Sequence, residues 1–205
     1  MNYSQLAFTD QIKAIQERMG SRNAYERHEK QSFVDGLTRI EEGFISEMDS
    51  IFMASYGENG FPYIQHRGGP KGFLKVIDNH TIGFIDFSGN RQYISTGNIT
   101  HNPNASLILL SYTLRARLKI YAEAEIVGLN SNPDLFEQLK PDNYRFKPER
   151  MILLHVKAYD WNCPQHINPK YTLEEIEQHF RKDDYVRELE NRIAVLESKI
   201  RQLTT

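Results

Sequence analysis

Two short segments carry the residues with the clearest chemical potential. They are Arg-Gly-Gly-Pro-Lys-Gly-Phe-Leu-Lys at positions 67–75 and Ser-Gly-Asn-Arg-Gln at positions 88–92. Between positions 62 and 120 the chain has seven lysines and arginines and two acids, although its overall net charge is −2. Cations concentrated beside flexible backbone are typical of a site for an anionic small ligand, such as a nucleotide phosphate.

Cations that could contact a phosphate monoester come from strand ends far apart in the sequence. They are Arg67, Lys71, Lys75, Arg91 and Arg117. The glycines at positions 68, 69 and 72 would let the backbone approach a ligand closely. Taken alone, a glycine-rich loop is more often a simple turn than a phosphate site. This loop matches neither the dinucleotide-binding nor the P-loop fingerprint, because no glycine-rich turn leads into the helix of a βαβ unit.

The elements that position these residues are predicted to be mainly β-strands. Strand periodicity and turn signals predict seven strands, at 51–55, 62–65, 72–77, 81–87, 106–112, 118–129 and 151–159. Consecutive hairpins with few helical crossovers predict an antiparallel sheet, most economically closed into a barrel.

Helices are predicted on either side of this sheet. Helical spacing predicts one from Thr9 to a glycine stop at position 20, and a capping box at Thr38 and Glu41 predicts a second. The second would use Ile40, with residues 44, 45 and 48, as its apolar face. The polar stretch 20–31 between them is predicted to be a surface connection. An Asn-Pro start at position 132 predicts a short helix ending at position 139.

The tail of the chain carries a different pattern, with apolar residues at alternating steps of three and four. They are Val186, Leu189, Ile193, Leu196, Ile200 and Leu203. This spacing is that of a coiled-coil seam, but it holds for fewer than three heptads and is too short to be stable alone. Two interpretations stay open: a plain amphipathic surface helix, and a helix that pairs with itself between subunits.

These elements predict one structural unit with an N-terminal helical segment (1–48), a split barrel (49–168) and a C-terminal helix (171–205). The composition is that of a soluble globular protein, and no apolar run is long enough to span a bilayer. The near-neutral charge argues against a nucleic-acid binder, and no export signal is visible, so a cytoplasmic protein is expected. A single cysteine, Cys163, excludes intramolecular disulfides.

Several segments together resemble the FMN-binding split-barrel proteins related to pyridoxamine 5′-phosphate oxidase. These segments are 67–75, 86–93, 97–98, 102–103, 117–118 and 161–167. The resemblance covers nearly the whole chain. It implies an antiparallel split barrel, an FMN cofactor, and a homodimer with two FMN sites at the interface, each with ligands from both chains.

The resemblance also implies roles for particular residues. Lys75 would meet the FMN phosphate, with Arg67 or Lys71 in the arginine role. Asp86 and Phe87 would approach the flavin ring, and Arg117 and Trp161 would also lie near it. The complete set implied to bind the cofactor is Arg67, Lys71, Phe73, Lys75, Asp86, Phe87, Asn90, Arg91, Gln92, Asn98, Arg117 and Trp161. Segment 90–92 matches the phosphate-binding Ser-Arg-Lys element of the family, with two residues changed.

The resemblance implies an FMN-dependent oxidoreductase of unknown substrate, which takes electrons from a small molecule or a reduced nicotinamide. The C-terminal segment that holds the vitamin phosphate in true pyridoxamine phosphate oxidases is replaced here by the coiled-coil-like tail. Because the flavin carries the redox chemistry, no catalytic side chain is required. Cys163 and His166 are the catalytic candidates. An inert thiol is the commoner state of such a cysteine, and an interface hydrogen bond is an equal alternative for His166.

Two other functions remain open at the level of the sequence. One is a non-catalytic flavin-binding carrier or redox sensor whose tail helix recruits a partner. The other is a haem-binding split barrel, which needs an axial ligand, for which His66 and His166 are the candidates.

Overall fold

The computed structural model describes residues 2–31, 33–162, 164–180 and 182–203. The chain divides into two compact units. The first comprises residues 1–111 and 116–165, and the second comprises residues 112–115 and 166–205.

Seven strands of the first unit form one antiparallel sheet in the order β2-β1-β5-β6-β7-β4-β3. They are β1 (Ser50–Tyr56), β2 (Pro62–Gly68), β3 (Lys75–Asp78), β4 (Thr81–Phe87), β5 (Asn104–Ser111), β6 (Ala116–Val127) and β7 (Pro148–Asn162). The predicted antiparallel architecture is confirmed, but the expectation that the sheet closes into a barrel is wrong. In the described part of the chain, β2 and β3 are the two edges of an open sheet. β3 also begins at Lys75 rather than at Gly72, because the loop before it turns at Gly72 with a positive φ of 73°.

Within the described residues, six helices belong to the first unit and two to the second. In order they are α1 (Tyr3–Ala7), α2 (Asp10–Arg18), α3 (Arg22–Gln31), α4 (Arg39–Ser46), α5 (Ile94–His101), α6 (Pro133–Leu139), α7 (Leu173–Phe180) and α8 (Lys182–Leu203).

The predicted surface connection at 20–31 is wrong, because the structure forms α3 there. Charge pairs along this polar helix explain the difference: Arg22 and Glu29 bond at 2.7 Å, and Lys30 and Glu26 also bond at 2.7 Å. The first pair is largely buried, with exposed side-chain fractions of 16% and 11%. This helix therefore depends on ion pairs and on its neighbours rather than on an apolar stripe.

The capping box predicted at Thr38 is confirmed and fixes the start of α4. Phe44 and Ile45 are buried in the main core, as the apolar periodicity predicts. Ile40 is the exception, because 72% of its surface is exposed. The buried face instead runs through Glu41, Phe44, Ile45 and Met48, at helical spacing, and Ile40 lies outside it.

The main core lies between the inner face of the sheet and α4, with Phe73, Phe84 and Leu118 among its members. A second, smaller core packs α6 against β4 and β7 through Leu135, Leu139 and Met151. β4 is buried over most of its length because its side chains Ile82 and Phe84 enter the main core and Ile85 enters the smaller one. At its end, β4 pairs with β7 alone, across an irregularity between Asp86 and Phe87.

Candidate functional site

The end of β4 and the loop that follows it form one side of a cleft with a volume of about 180 Å³. The opposite side comes from alternate residues of β2 and from the first turn of α5. The lining residues are Tyr63, Gln65, Arg67, Asp86, Phe87, Gly89, Asn90, Arg91, Gln92, Tyr93, Ile94, Ser95, Thr96 and Glu149. Six of the residues expected to bind a cofactor meet in this one cleft: Arg67, Asp86, Phe87, Asn90, Arg91 and Gln92.

The buried part of the cleft is a cluster of ion pairs. Asp86 accepts a 2.5 Å hydrogen bond from Arg67 Nη1, and its other oxygen lies 3.6 Å from Arg150 Nη1. Arg150 also donates to Glu149 at 2.6 Å and to Thr96 Oγ1 at 2.5 Å. Burial raises the pKa of Asp86, whereas the positive charges of Arg67 and Arg150 oppose that rise.

Arg67 retains one unused donor in this cluster. Its Nε is buried and has no hydrogen-bond partner among the described residues. A buried donor without an acceptor is costly, and such groups are uncommon in folded proteins. The arrangement is therefore typical of a site that is completed by a bound acceptor.

The loop after β4 holds its polar side chains with an unusual backbone. Arg91 and Tyr93 both adopt positive φ angles, of 62° and 55°. Non-glycine residues in this region are strained, and they cluster at functional sites. Two local hydrogen bonds support the loop. Arg91 Nε donates to the Tyr93 hydroxyl at 3.2 Å, and the backbone N–H of Gln92 donates to Asn90 Oδ1 at 3.1 Å.

The N-terminus of α5 opens directly into the cleft. Tyr93 is its N-cap residue and makes no side-chain capping bond. The first amides of a helix have no intrahelical acceptor, so this end of α5 favours an anion. Ser95 fixes the helix to β2 by donating to Gln65 Oε1 at 2.6 Å. Asn98 lies one turn further along, outside the cleft, where it donates to Ser55 Oγ at 3.0 Å.

The other expected phosphate ligands lie elsewhere in the unit. Lys71 and Lys75 line a separate groove beside α4, and Lys71 pairs with Glu47. Phe73 is 2% exposed and packs its ring edge-on against Phe84 in the core. Within one chain the structure does not bring these three residues to the cleft.

The glycine-rich loop has a structural role of its own. A Cβ added to Gly69 would lie 2.7 Å from the Phe73 Cβ and 3.2 Å from the Phe87 ring. Close packing against these two side chains therefore requires glycine at this position. The expectation that Gly69 makes room for a ligand finds no support in this contact.

Arg117 and Trp161 lie at the opposite end of the β6–β7 ladder. Arg117 pairs with Asn162 across the two strands, next to the pair formed by Leu118 and Trp161. The Trp161 indole donates to Glu41 Oε1 at 2.6 Å and packs edge-on against the Phe44 ring. Burial disfavours ionisation of Glu41, but hydrogen bonds from Thr38 and Trp161 outweigh it and lower the pKa of this carboxyl.

A second cavity of about 370 Å³ adjoins Trp161, between the N-terminal helices and the sheet. Tyr3, Phe8 and Tyr25 give it aromatic walls, and the Lys119–Asp160 ion pair closes one side. Of the two catalytic candidates, Cys163 lies outside the described residues. His166 belongs to the second unit, where it has a positive φ of 64°.

Sequence reasoning missed the residues that complete the cleft: Tyr63, Gln65, Thr96, Glu149 and Arg150. Tyr63 and Gln65 share a face of β2 with Arg67, so the period of two along that strand carried a usable signal. Glu149 and Arg150 reach the cleft only because Arg150 is the cross-strand neighbour of Asp86. The position of that pair depends on the register of β4 and β7, which the sequence does not display.

The family model for pyridoxamine 5′-phosphate oxidase matches residues 38–159, more than half of the 205-residue chain. This match spans β1 to β6, most of β7 and every residue of the cleft. No curated protein matches the chain.

Solved structures share the fold at low sequence identity. The HupZ protein of Group A Streptococcus is 14% identical, with a TM-score of 0.50 over 65% of this chain and 99% of its own. An FMN-binding protein from Syntrophomonas wolfei is 15% identical, with a TM-score of 0.44 over 60% and 83% of the two chains. The heme storage protein HutZ from Vibrio cholerae is 14% identical, with a TM-score of 0.41 over 62% and 94%. At these identities, the HupZ likeness speaks for the fold alone, and the two lower-scoring likenesses carry no argument.

Proposed function

The chain belongs to the pyridoxamine 5′-phosphate oxidase family, and from this premise we propose that it is an FMN-dependent oxidoreductase that works as a homodimer. The observation that carries the proposal is the cleft at the end of β4. There, a buried arginine with an unused donor lies in the same cleft as a strained loop and an uncapped helix N-terminus.

The donors of the cleft fit the phosphate of a mononucleotide. Arg91 supplies a cation at the rim, α5 supplies backbone amides, and Arg67 supplies its Nε from the buried side. Charge-assisted hydrogen bonds of this kind are the strong ones in anion sites. Asp86 neutralises part of the positive charge and fixes the Arg67 side chain.

The cleft is too small to hold an entire flavin. Ligand sites usually measure about 300–1,000 Å³, whereas this cleft measures about 180 Å³. We therefore propose that one chain covers only part of the cofactor and that a second chain supplies the rest of the site.

The residues expected near the ring are Asp86 and Phe87, which line the cleft, and Arg117 and Trp161, which lie far from it in the same chain. Arg150 beside the cleft and Trp161 are both on β7, eleven positions apart. At about 3.3 Å per residue this is roughly 36 Å along the strand. This contour length is an upper bound on the straight-line separation, because a bulge in β7 lies between the two residues. A separation on this scale supports a second copy of the chain as the source of Arg117 and Trp161. This argument supports the homodimer.

Bound FMN would supply the hydride or electron transfer, while the protein holds and tunes it. Arg91, Arg67 and α5 would bind the phosphate and so fix the position of the cofactor. Arg117 of the second copy would place a positive charge near the ring and favour the reduced state. The cavity beside Trp161 has both aromatic and polar side chains in its lining and would offer space for a substrate.

Haem is the less favoured cofactor for this cleft. His66 lies on the opposite side of β2 from Tyr63, Gln65 and Arg67, where its ring packs edge-on against Phe52. Among the residues that line the described cleft there is no histidine, cysteine or methionine. The histidine, cysteine and methionine ligands of haem iron are therefore missing from this lining, which leaves Tyr63 and Tyr93 as its side chains of a type that ligates haem.

A titration with FMN followed by reduction tests the proposal and separates an enzyme from a carrier. We expect the protein to bind FMN, and a reduced nicotinamide to bleach the flavin band and turn over in air. Tight FMN binding without turnover by any reduced nicotinamide would instead favour the non-catalytic carrier. A protein that fails to bind FMN and shows a Soret band with haem would overturn the proposal.

A further inference from the structure

We propose that α8 is a docking surface for α8 of a second copy of this chain, and that the two helices form a parallel, in-register, two-stranded coiled coil. This inference does not rest on the proposed flavin chemistry. It concerns a helix of the second unit that takes no part in the cleft.

The apolar stripe of α8 is exposed in the structure. α8 runs over 22 residues, and its seam residues each have between 40% and 60% of their surface exposed. These residues are Val186, Leu189, Ile193, Leu196 and Ile200. In sequence the seam continues at Leu203. An apolar stripe of this length is typical of a helix that buries it against a partner.

The residue types along the seam select a two-stranded parallel partner. Val186, Ile193 and Ile200 occupy the first core position of each heptad, and Leu189 and Leu196 occupy the second. β-Branched residues at the first position with leucine at the second favour parallel dimers over higher oligomers. A helix that packed on an arbitrary surface would not need this alternation.

The charges beside the seam select the same orientation. Glu190 and Glu197 flank it on one side, and Arg192 and Lys199 flank it on the other. In a parallel in-register pair, Arg192 of each chain lies next to Glu197 of the other, which gives two attractive contacts per dimer. In an antiparallel pair, acids would meet acids and bases would meet bases. The sequence therefore favours the parallel pair and opposes its reverse.

Within one chain, Glu197 makes a weak, exposed ion pair, so it can also contact Arg192 of a second chain. Its carboxylate lies 4.0 Å from Arg201 Nη2, and both side chains are more than 60% exposed. Exposed pairs at this distance contribute little, so the pair opposes a new contact only weakly.

Disulfide cross-linking in the full-length chain tests the pairing and its direction. In a Cys163→Ser background, Leu189→Cys should oxidise readily to a covalent dimer, because the same core position meets itself in a parallel pair. A mixture of Leu189→Cys and Ile200→Cys chains should give only the two homodimers. A dominant mixed disulfide would show an antiparallel pair, and an absence of cross-linked dimer would show that α8 packs elsewhere; either result would overturn the proposal.

A matched pair of substitutions shows whether the seam carries the contact. Leu196 and Val195 are both 55% exposed and adjacent in sequence, but only Leu196 lies on the seam. We expect Leu196→Glu to reduce the rate of Leu189→Cys cross-linking by at least about tenfold, because it buries a charge in each helix, and Val195→Glu to leave it unchanged. Equal effects of the two substitutions would overturn the assignment of the seam.

A charge exchange tests the register without changing the core. Arg192→Glu and Glu197→Arg should each slow cross-linking of the pure protein, because each creates two like-charge contacts per dimer. Mixing the two variants should restore the rate, because both contacts are then attractive again. A mixture no faster than the separate variants would contradict the in-register arrangement.

Discussion

At the level of single residues, the buried and the exposed cations of the cleft have different roles. Arg67 and Arg150 are each 14% exposed and are held by Asp86, so they shape the site. Arg91 is exposed on the strained loop, so its charge is directed to solvent or to a ligand. Replacement of Arg91 should therefore weaken FMN binding with less damage to the fold than replacement of Arg67 or Arg150.

Arg91→Ala should weaken FMN binding by about 10- to 100-fold, because a charge-assisted contact to phosphate contributes about 1.5–3 kcal/mol. Lys75→Ala is the comparison, since Lys75 was expected at the same phosphate but lies in the groove beside α4. The affinity of each variant can be measured by quenching of flavin fluorescence. A large loss of FMN affinity with Lys75→Ala and none with Arg91→Ala would show that the phosphate binds in that groove and not in the cleft.

Gly69→Ala should destabilise the fold by about 1–3 kcal/mol, the usual cost of overpacking. The added methyl group would lie 2.7 Å from the Phe73 Cβ. Gly89→Ala is the control, because a Cβ there would meet nothing within 4 Å. Urea denaturation measures both variants, and similar midpoints for the two would refute the packing role given to Gly69.

At the level of elements, local signals in the sequence predicted those strands and helices whose ends are set by nearby residues. β4 and α6 have the predicted bounds, and α4 begins at its predicted capping box. α3 was missed because it has no apolar periodicity and is supported by Arg22 and Glu29 two turns apart. α5 was missed because it begins after a left-handed tyrosine rather than after a capping residue.

The cleft itself was only partly predictable for the same reason. Its loop and β4 residues are contiguous in sequence, so a local motif could identify them. Arg150 comes from a strand more than sixty residues later, and its place beside Asp86 depends on the pairing of β4 and β7. Such contacts between distant segments are set by the register of the sheet, which a local motif does not specify.

The capping box of α4 gives a prediction for pH dependence. Because the pKa of Glu41 is lowered in the folded state, its contribution to stability is present above the unfolded value of about 4.5. It is lost as the pH falls through the lowered pKa. Glu41→Gln should therefore lower the free energy of unfolding at pH 7 by about 1–3 kcal/mol and flatten its decline toward acid.

Glu42→Gln is the matched control, since Glu42 lies in the same turn but is exposed. Thermal unfolding between pH 3 and 7 follows both variants. If Glu42→Gln changes the loss of stability at acid pH as much as Glu41→Gln does, the effect comes from negative charge near the N-terminus of α4 rather than from the capping box.

At the level of the whole molecule, the described chain carries the two halves of the expected flavin site at opposite ends of one sheet. It also contains no helix, within the described residues, that is long and apolar enough to cross a membrane. The cleft residues and the pair Arg117 and Trp161 would act on one cofactor only if two chains combine. A twofold dimer would create two such sites, each with one end from each chain.

Mixed dimers of two inactive variants test this shared site most directly. Arg91→Ala damages the phosphate end and Arg117→Ala the ring end, so every site in either pure variant should bind FMN weakly. When the two variants are mixed and allowed to exchange subunits, half of the dimers are heterodimers, and each has one intact site. Fluorescence titration of the mixture should then show tight FMN binding at about one quarter of the sites. A mixture that binds no better than the separate variants would contradict a site built from two chains.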